Sequence, residues 1–291
     1  MEKKKVLFLV NPISGTKNKD AIIEDINEYI DKNKFEYEIV LTQRAGHATE
    51  LTKEAVINDY DIVVAVGGDG TVNEVSKSLI DKDVALAIIP IGSGNGLARE
   101  LKIPLDIEEA VKTINETFIT TIDTASVNNT PFFNVSGIGF DSEIAWLFNE
   151  SKNRGLLGYL KIIISFYLKY KDKEYKIIAN GKEINTKAFL ISIANGTQWG
   201  NNAFISPESL LNDGFVEICI LKRIPIYMTP IFIYKLFNKS LSESKYLKYI
   251  KCSSAVIESK ASNIHIDGEP FKSDNILNVC VKPLSLNVII P

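Results

Sequence analysis

DIVVAVGGDGTVNEVSKSLI, residues 61–80, sets the reading of the first half of the chain. DIVVAV (61–66) is a short run rich in β-branched side chains, which suit a buried, pleated strand. Gly67, Gly68 and Gly70 break that run, and TVNEVSKSLI (71–80) resumes with apolar residues at helical spacing. The stretch therefore predicts a strand, a glycine-rich turn and a helix. Backbone N–H groups at such a turn, with the positive end of the helix behind them, attract phosphate. Yet Asp69 stands at its centre and Glu74 follows a turn later. The spacing matches neither GxGxxG nor GxxxxGK followed by Ser or Thr. The plainer alternative is a tight turn in which Asp69 caps the helix through the N–H of Thr71 or Val72.

The same rhythm continues on both sides. KKVLFLV (4–10), YEIVLTQ (37–43) and VALAIIP (84–90) read as strands, and 19–33, 47–59 and a segment from 94 read as helices. Alternating βα units predict a parallel sheet covered on both faces, an α/β domain over residues 1–127. Ligands meet such sheets beyond the carboxyl ends of the strands. Three loops fall there: NPISGTKN (11–18), GGDG (67–70) and IGSGNG (91–96).

Beyond residue 127 the pattern changes. Asn128-Asn129 and Asn180-Gly181 each separate two β runs and predict hairpins. Further β runs follow at 215–221, 254–258, 263–267 and 276–290, with helical patches at about 141–170 and 226–250. Residues 128–291 read as a second, mostly antiparallel β domain.

The 291 residues are 45% hydrophobic and 24% charged, the balance of a globular protein with a large core. A net charge of −3 argues against a nucleic-acid partner. Cys219, Cys252 and Cys280 are odd in number and far apart, without metal or disulfide spacing. The apolar run after MEKKK is about five residues, too short for a signal-peptide core. The apolar stretches 156–168 and 224–237 are shorter than the roughly 20 residues of a spanning helix. These features predict a cytoplasmic protein that touches, at most, the inner face of a membrane.

Asn11, Pro12, Ser14 and Gly15 (NPxSG), GGDGTVNEV (67–75), PIGSGN (90–95), Asp213-Gly214 and Asp267-Gly268-Glu269 occur in this order. As a set they resemble the diacylglycerol kinase catalytic-domain family, which includes bacterial lipid kinases and sphingosine and ceramide kinases. The resemblance spans nearly the whole chain. It implies an NAD kinase- and diacylglycerol kinase-like α/β domain followed by a β-sandwich, with ATP bound in the cleft between them. The implied reaction is Mg²⁺-dependent phosphorylation of a lipid hydroxyl, and the implied partners are ATP, a lipid substrate, a peripheral membrane surface and room for a homodimer.

The resemblance also implies site residues. Asn11, Ser14, Thr42, Gly67, Gly68, Gly70, Thr71, Gly92, Ser93, Gly94 and Asn95 become nucleotide contacts. Asp69 and Asp267 are both candidates for the general base, and Glu269, two residues on in an extended segment, would share a face with Asp267. Asp213 and Asp267 are candidate Mg²⁺ ligands. No P-loop lysine is present, so Mg²⁺ and backbone N–H groups must carry more of the phosphate charge. The chain has Gly96 where many diacylglycerol-type members carry an acid, which brings GSGNGLA nearer the sphingosine and ceramide kinase version. Asp123 matches another acid of that network, and reads otherwise as a surface strand residue. His265 precedes Asp267 by two positions, and Arg154 could reach a phosphate.

Segment 222–251 holds seven Lys or Arg and one acid, Glu243, interleaved with Tyr227, Met228, Ile231, Phe232, Tyr234 and Phe237. Such a segment suits an anionic lipid surface, and equally an amphipathic helix packed on the β domain. Two other functions stay open: an NAD kinase-like enzyme, which shares GGDGT, and a non-catalytic relative.

Overall fold

Strand β1 (Lys4–Val10) runs parallel to β2 (Phe35–Leu41) on one side and β3 (Ile62–Gly67) on the other. Strand β4 (Ala85–Pro90) extends the parallel sheet beyond β3. Every residue of β3 and β4 is buried. IVVAVG and ALAIIP have no polar face because a parallel sheet is covered on both sides. The helices pack as two pairs, α1 (Lys19–Tyr29) with α5 (Ile107–Glu116) and α2 (His47–Ile57) with α3 (Asp69–Leu79). Between β4 and α5 comes the single turn-and-a-half of α4 (Gly96–Glu100). Helix α5 was not among the predicted elements. Asp106 caps it by accepting the N–H of Glu109 at 3.3 Å.

These elements come from a computed structural model that describes residues 3–15, 18–150 and 165–291. The chain divides into two compact units, Met1–Thr124 with Pro283–Pro291, and Ala125–Lys282. Periodicity alone leaves 283–291 trailing the β-rich segment, but pairing puts them in the first unit. There the far end of β16 (Ile276–Ile289) reaches β4, with Val288 beside Leu86 in parallel, and Asp81 N–H donates to Ser285 O at 2.7 Å.

The second unit is a sandwich of two largely antiparallel sheets. One runs β9 (Lys182–Ala188), β8 (Lys173–Ala179), β13 (Ser254–Ser259) and the first part of β16. The other runs β12 (Leu247–Cys252), β11 (Val216–Leu221), β10 (Leu190–Ala194), β7 (Val135–Gly139), β14 (Asn263–Ile266) and β15 (Glu269–Lys272). Ile177, Ile257 and Leu277 from the first share one core with Ile138, Ile191 and Ile218 from the second. The run KEINTKAFLISIA is thus two strands in different sheets, and Phe189 marks the change, its ring 4.3 Å from that of Phe140.

Both predicted hairpins form. Strand β5 (Ile119–Val127) turns into β6 (Thr130–Phe132) through Asn128 and Asn129 at φ 48° and 64°, and β8 turns into β9 through Asn180 and Gly181 at φ 51° and 71°. Asparagine and glycine tolerate that left-handed backbone best.

The expected helical patch at 226–250 is shorter than predicted. Helix α7 (Thr229–Phe237) ends at Asn238, and Leu247–Cys252 is β12, paired with β11 from Leu247↔Leu221 to Cys252↔Val216. Leu247 and Cys252 face the interior from opposite ends of LKYIKC, and the extended pairing overrides the helical spacing of its lysines. In the 141–170 patch, α6 (Phe140–Glu150) and residues 165–169 are helical. Arg154 and most of the apolar stretch 156–168 lie outside the described residues. Among the described residues no helix is long and apolar enough to cross a membrane.

Candidate active site

In the first unit the three glycine-bearing loops come together. Asn11, at the end of β1, donates through Nδ2 to Thr71 Oγ1 in the first turn of α3 (3.0 Å), and its own N–H reaches Val66 O (3.0 Å). Ile91 N–H donates to Gly67 O at 3.0 Å. A Cβ on Gly92 would stand 2.5 Å from Gly68 Cα, so these loops touch backbone to backbone and only glycine fits. Ser14 joins them: its Oγ is 3.4 Å from where a Cβ on Gly68 would stand. Thr42 follows β2, buried, with its N–H on Val10 O at 2.9 Å. Gly70 lies in the first turn of α3, and Ser93 is exposed at the tip of its loop.

Asp69 neither caps its own helix nor stands clear of the backbone. Its Oδ2 accepts the N–H of Asn95 (2.9 Å) and its Oδ1 accepts that of Gly96 (2.6 Å). The carboxylate therefore satisfies the first N–H groups of α4, whose positive end favours an acid. Gly68, the N-cap residue of α3, has no side-chain cap bond. Asn95 sits at φ 52°, donates through Nδ2 to Gly92 O at 2.8 Å, and leaves a buried Oδ1 without a hydrogen-bond partner. An orphaned buried acceptor beside glycine loops and helix starts fits a polar ligand such as a nucleotide. Glu74 accepts the N–H of Gly46 at 2.8 Å and ties the loop before α2 to α3.

Asp123 is fully buried, and its Oδ1 accepts Leu284 N–H at 2.7 Å. The expectation of a surface residue fails there because the returning C-terminal strand covers it.

In the second unit, Asp267 and Gly268 form the two-residue turn between β14 and β15, at φ 47° and 85°. The extended run expected through Asp267 to Glu269 is instead this reversal, with Glu269 opposite Ile266 across the hairpin. The carboxylate of Asp267 accepts three backbone N–H groups: Asn134 (2.9 Å) and Val135 (3.2 Å) at Oδ1, and Phe133 (3.0 Å) at Oδ2. Glu269 is exposed. Behind the turn, His265 is buried and meets Asp141, a residue that no motif had singled out. An acid in the first turn of α6 reads as an ordinary complement to the helix dipole, so the sequence carried no signal for it.

Asp213 lies in a different loop, before β11. Its Oδ2 holds Lys251 Nζ at 2.5 Å, and its Oδ1 accepts Phe215 N–H at 3.1 Å. The ammonium of Lys251 also lies 4.0 Å from buried Glu217, which hydrogen-bonds Ser209 and whose carboxyl is pushed up chiefly by burial. In this arrangement the exposed Lys251 supplies the positive charge at the Asp213 carboxylate. Among the described residues no cluster of three or more His, Cys, Asp or Glu could hold a metal. Mg²⁺ would fit this protein as an ion carried largely by nucleotide phosphates and water, with few protein carboxylates.

The comparisons agree with this architecture. Residues 5–127 match the diacylglycerol kinase catalytic domain, and residues 134–290 match the YegS C-terminal NAD kinase beta sandwich-like domain. A diacylglycerol kinase of Bacillus subtilis (strain 168) is 31% identical over 230 residues, covering 76% of this chain and 74% of its own. A Pseudomonas putida protein named "Probable lipid kinase YegS-like" is 26% identical over 280 residues, 94% of this chain and 92% of its own. A solved structure of a diacylglycerol kinase from Bacillus anthracis str. Sterne superposes with a TM-score of 0.78 at 24% identity, over 100% of this chain and 98% of that one, which speaks to the fold alone. The chain belongs to the diacylglycerol kinase catalytic-domain family. It is a lipid kinase.

Proposed function

We propose that this lipid kinase transfers the γ-phosphoryl group of ATP to a hydroxyl of a diacylglycerol-like or sphingoid-like lipid. The observation that carries the nucleotide half is the meeting of three glycine-bearing loops around the buried, unpartnered Oδ1 of Asn95. Asn11 and Thr71, bonded to each other, and the N–H groups at the start of α3 would bind the nucleotide. Asp69, committed to Asn95 and Gly96, holds the GSGN loop in shape. Mg²⁺, when bound, would offset phosphate charge.

Asp267 takes the proton. Its carboxylate is fixed by three backbone donors on a tight turn, which is the rigidity a general base needs. As the lipid oxygen bonds to the γ-phosphorus and the bond to ADP breaks, the hydroxyl proton passes to Asp267. Glu269, exposed beside it, would meet substrate.

The lipid would be met at a membrane surface. On and around α7, Ile226, Tyr227, Ile231, Ile233, Tyr234 and Phe237 are 48–75% exposed, and Lys222, Lys239 and Lys245 are exposed nearby. Apolar side chains flanked by lysines match an anionic bilayer on the cytoplasmic side. Arg223 is excluded from that role, since it pairs with Asp172 at 2.9 Å and stacks on Tyr167 and Phe189.

The test is transfer from labelled ATP with Mg²⁺ to a panel of diacylglycerol, sphingoid base, ceramide, undecaprenol and NAD. Label on a lipid supports the reading, and label on NAD alone overturns it.

A further inference from the structure

His265 is unusual for its burial and for having both ring nitrogens engaged. Gly268 N–H donates to Nδ1 at 3.3 Å, so Nδ1 carries no proton. Nε2 then carries the ring proton and faces Asp141 Oδ2 at 3.2 Å. Asp141 is held in turn, by Ser142 N–H on Oδ1 (2.8 Å) and Ser192 Oγ–H on Oδ2 (3.4 Å), and Ser192 accepts Trp199 Nε1–H at 3.1 Å. The His265 side chain is 7% exposed and that of Asp141 is 15% exposed, so water competes little with their contact. A Cβ on residue 137 would stand 2.5 Å from Asp141 Oδ2 and 2.7 Å from His265 Nε2, so Gly137 leaves the space in which the pair meets.

Ser, His and Asp together suggest a nucleophile, but the order is wrong. The Ser192 hydroxyl donates to Asp141, not to the imidazole, so nothing activates it. The chain of contacts ends instead on Gly268, the second residue of the turn whose first residue is Asp267.

We propose that His265, oriented by Asp141, is a positioning residue that sets the Asp267-Gly268 turn and so aims the Asp267 carboxylate. This rests on the reading of Asp267 as proton acceptor. Asp267 at φ 47° and Gly268 at φ 85° form a left-handed turn that an Asp-Gly pair adopts readily, so what the surrounding bonds add is the direction in which the turn holds its carboxylate. The three N–H groups of 133–135 fix its carboxylate from one side, and the bond from Gly268 to the ring fixes the turn from the other. Misplacing a reacting group by about 1 Å costs roughly a hundredfold in rate.

Two substitutions separate the ring's two contacts. His265→Asn keeps an acceptor at the Nδ1 position and loses the donor to Asp141. His265→Gln keeps a donor at the Nε2 position and loses the acceptor for Gly268. In the full chain, the Gln variant should lose turnover by about ten- to a hundredfold with KM for ATP within about twofold of the parent. The Asn variant, which keeps the acceptor for Gly268 but loses its orienting contact with Asp141, should lose clearly less, by no more than about tenfold. Amide exchange at Gly268 should be about tenfold faster in the Gln variant than in the other two proteins. Emission from Trp146 and Trp199, the chain's two tryptophans, reports whether packing around the pair survives. Full turnover in the Gln variant, or equal loss in both variants in step with Tm, overturns the proposal. Should the parent protein phosphorylate no lipid, the transfer reading fails. Gly268 exchange still decides the positioning claim, and equal rates in all three proteins overturn it.

Discussion

Asp69 and Asn95 are joined across two loops: Oδ2 of the acid accepts the asparagine's backbone N–H at 2.9 Å, and Oδ1 accepts that of Gly96 at 2.6 Å. The acid therefore braces the proposed nucleotide site from within. Asp69→Asn turns one acceptor into a donor facing a backbone N–H. It should cost about 1–3 kcal/mol of stability and weaken ATP binding along with turnover. Thermal unfolding and ATP titration check this. A variant with parental stability and ATP affinity but no turnover would give Asp69 the base role instead.

Gly92→Ala tests the meeting of the loops directly. The added Cβ would stand 2.5 Å from Gly68 Cα and 2.9 Å from Asn95 Oδ1, so the backbone must shift. KM for ATP should rise by about tenfold or more while KM for the lipid holds. Steady-state kinetics in both substrates distinguishes this from general unfolding, which would lower active-enzyme concentration without splitting the two constants.

Lys251→Met tests the ion pair at Asp213. Burial holds the Glu217 carboxyl above its ordinary value of 4.5, and Lys251 works against that rise. A raised folded-state value means that the folded protein binds more protons, so stability is lost as pH rises through that window. Without Lys251 the rise is larger, so the variant's deficit in Tm should widen from about pH 4.5 toward pH 7. Added Mg²⁺ without nucleotide should leave the parental Tm unchanged. A parental Tm that rises with Mg²⁺ would point to a metal in the Asp213 loop.

Charge reversal of the exposed Lys222 and Lys245 tests membrane contact. Each lysine near an anionic surface contributes about 1 kcal/mol, so the double Glu variant should bind phosphatidylserine-containing vesicles at least about thirtyfold more weakly. Turnover of a short-chain soluble lipid should be unchanged. Unaltered co-sedimentation with such vesicles would remove α7 and its neighbours from the membrane reading.

The α/β class was legible because IVVAVG and ALAIIP are buried on both faces and say so in their composition. The hairpins were legible because Asn128-Asn129 and Asn180-Gly181 tolerate positive φ. Long-range pairing was not legible: nothing local in 283–291 tells that Val288 joins Leu86. The same holds at the site. The loop motifs named Asp69 and Asp267, but partners distant in sequence decide what each carboxylate does. Asn95 and Gly96 claim Asp69, while Phe133, Asn134 and Val135 hold Asp267. Asp141 looks like an ordinary surface charge until His265 is seen beside it, and the pairing of exposed Lys251 with Asp213 is equally invisible locally.

The central claim is that this lipid kinase moves phosphate from ATP to a lipid hydroxyl with Asp267 accepting the proton. Its most direct test is single-turnover transfer from labelled ATP to lipid in mixed micelles, by the parent and by Asp267→Asn, with ATP affinity measured on the same preparations. The account predicts rapid transfer by the parent, and transfer slowed by about a hundredfold or more at unchanged ATP affinity in the variant. Transfer by Asp267→Asn at the parental rate would contradict it.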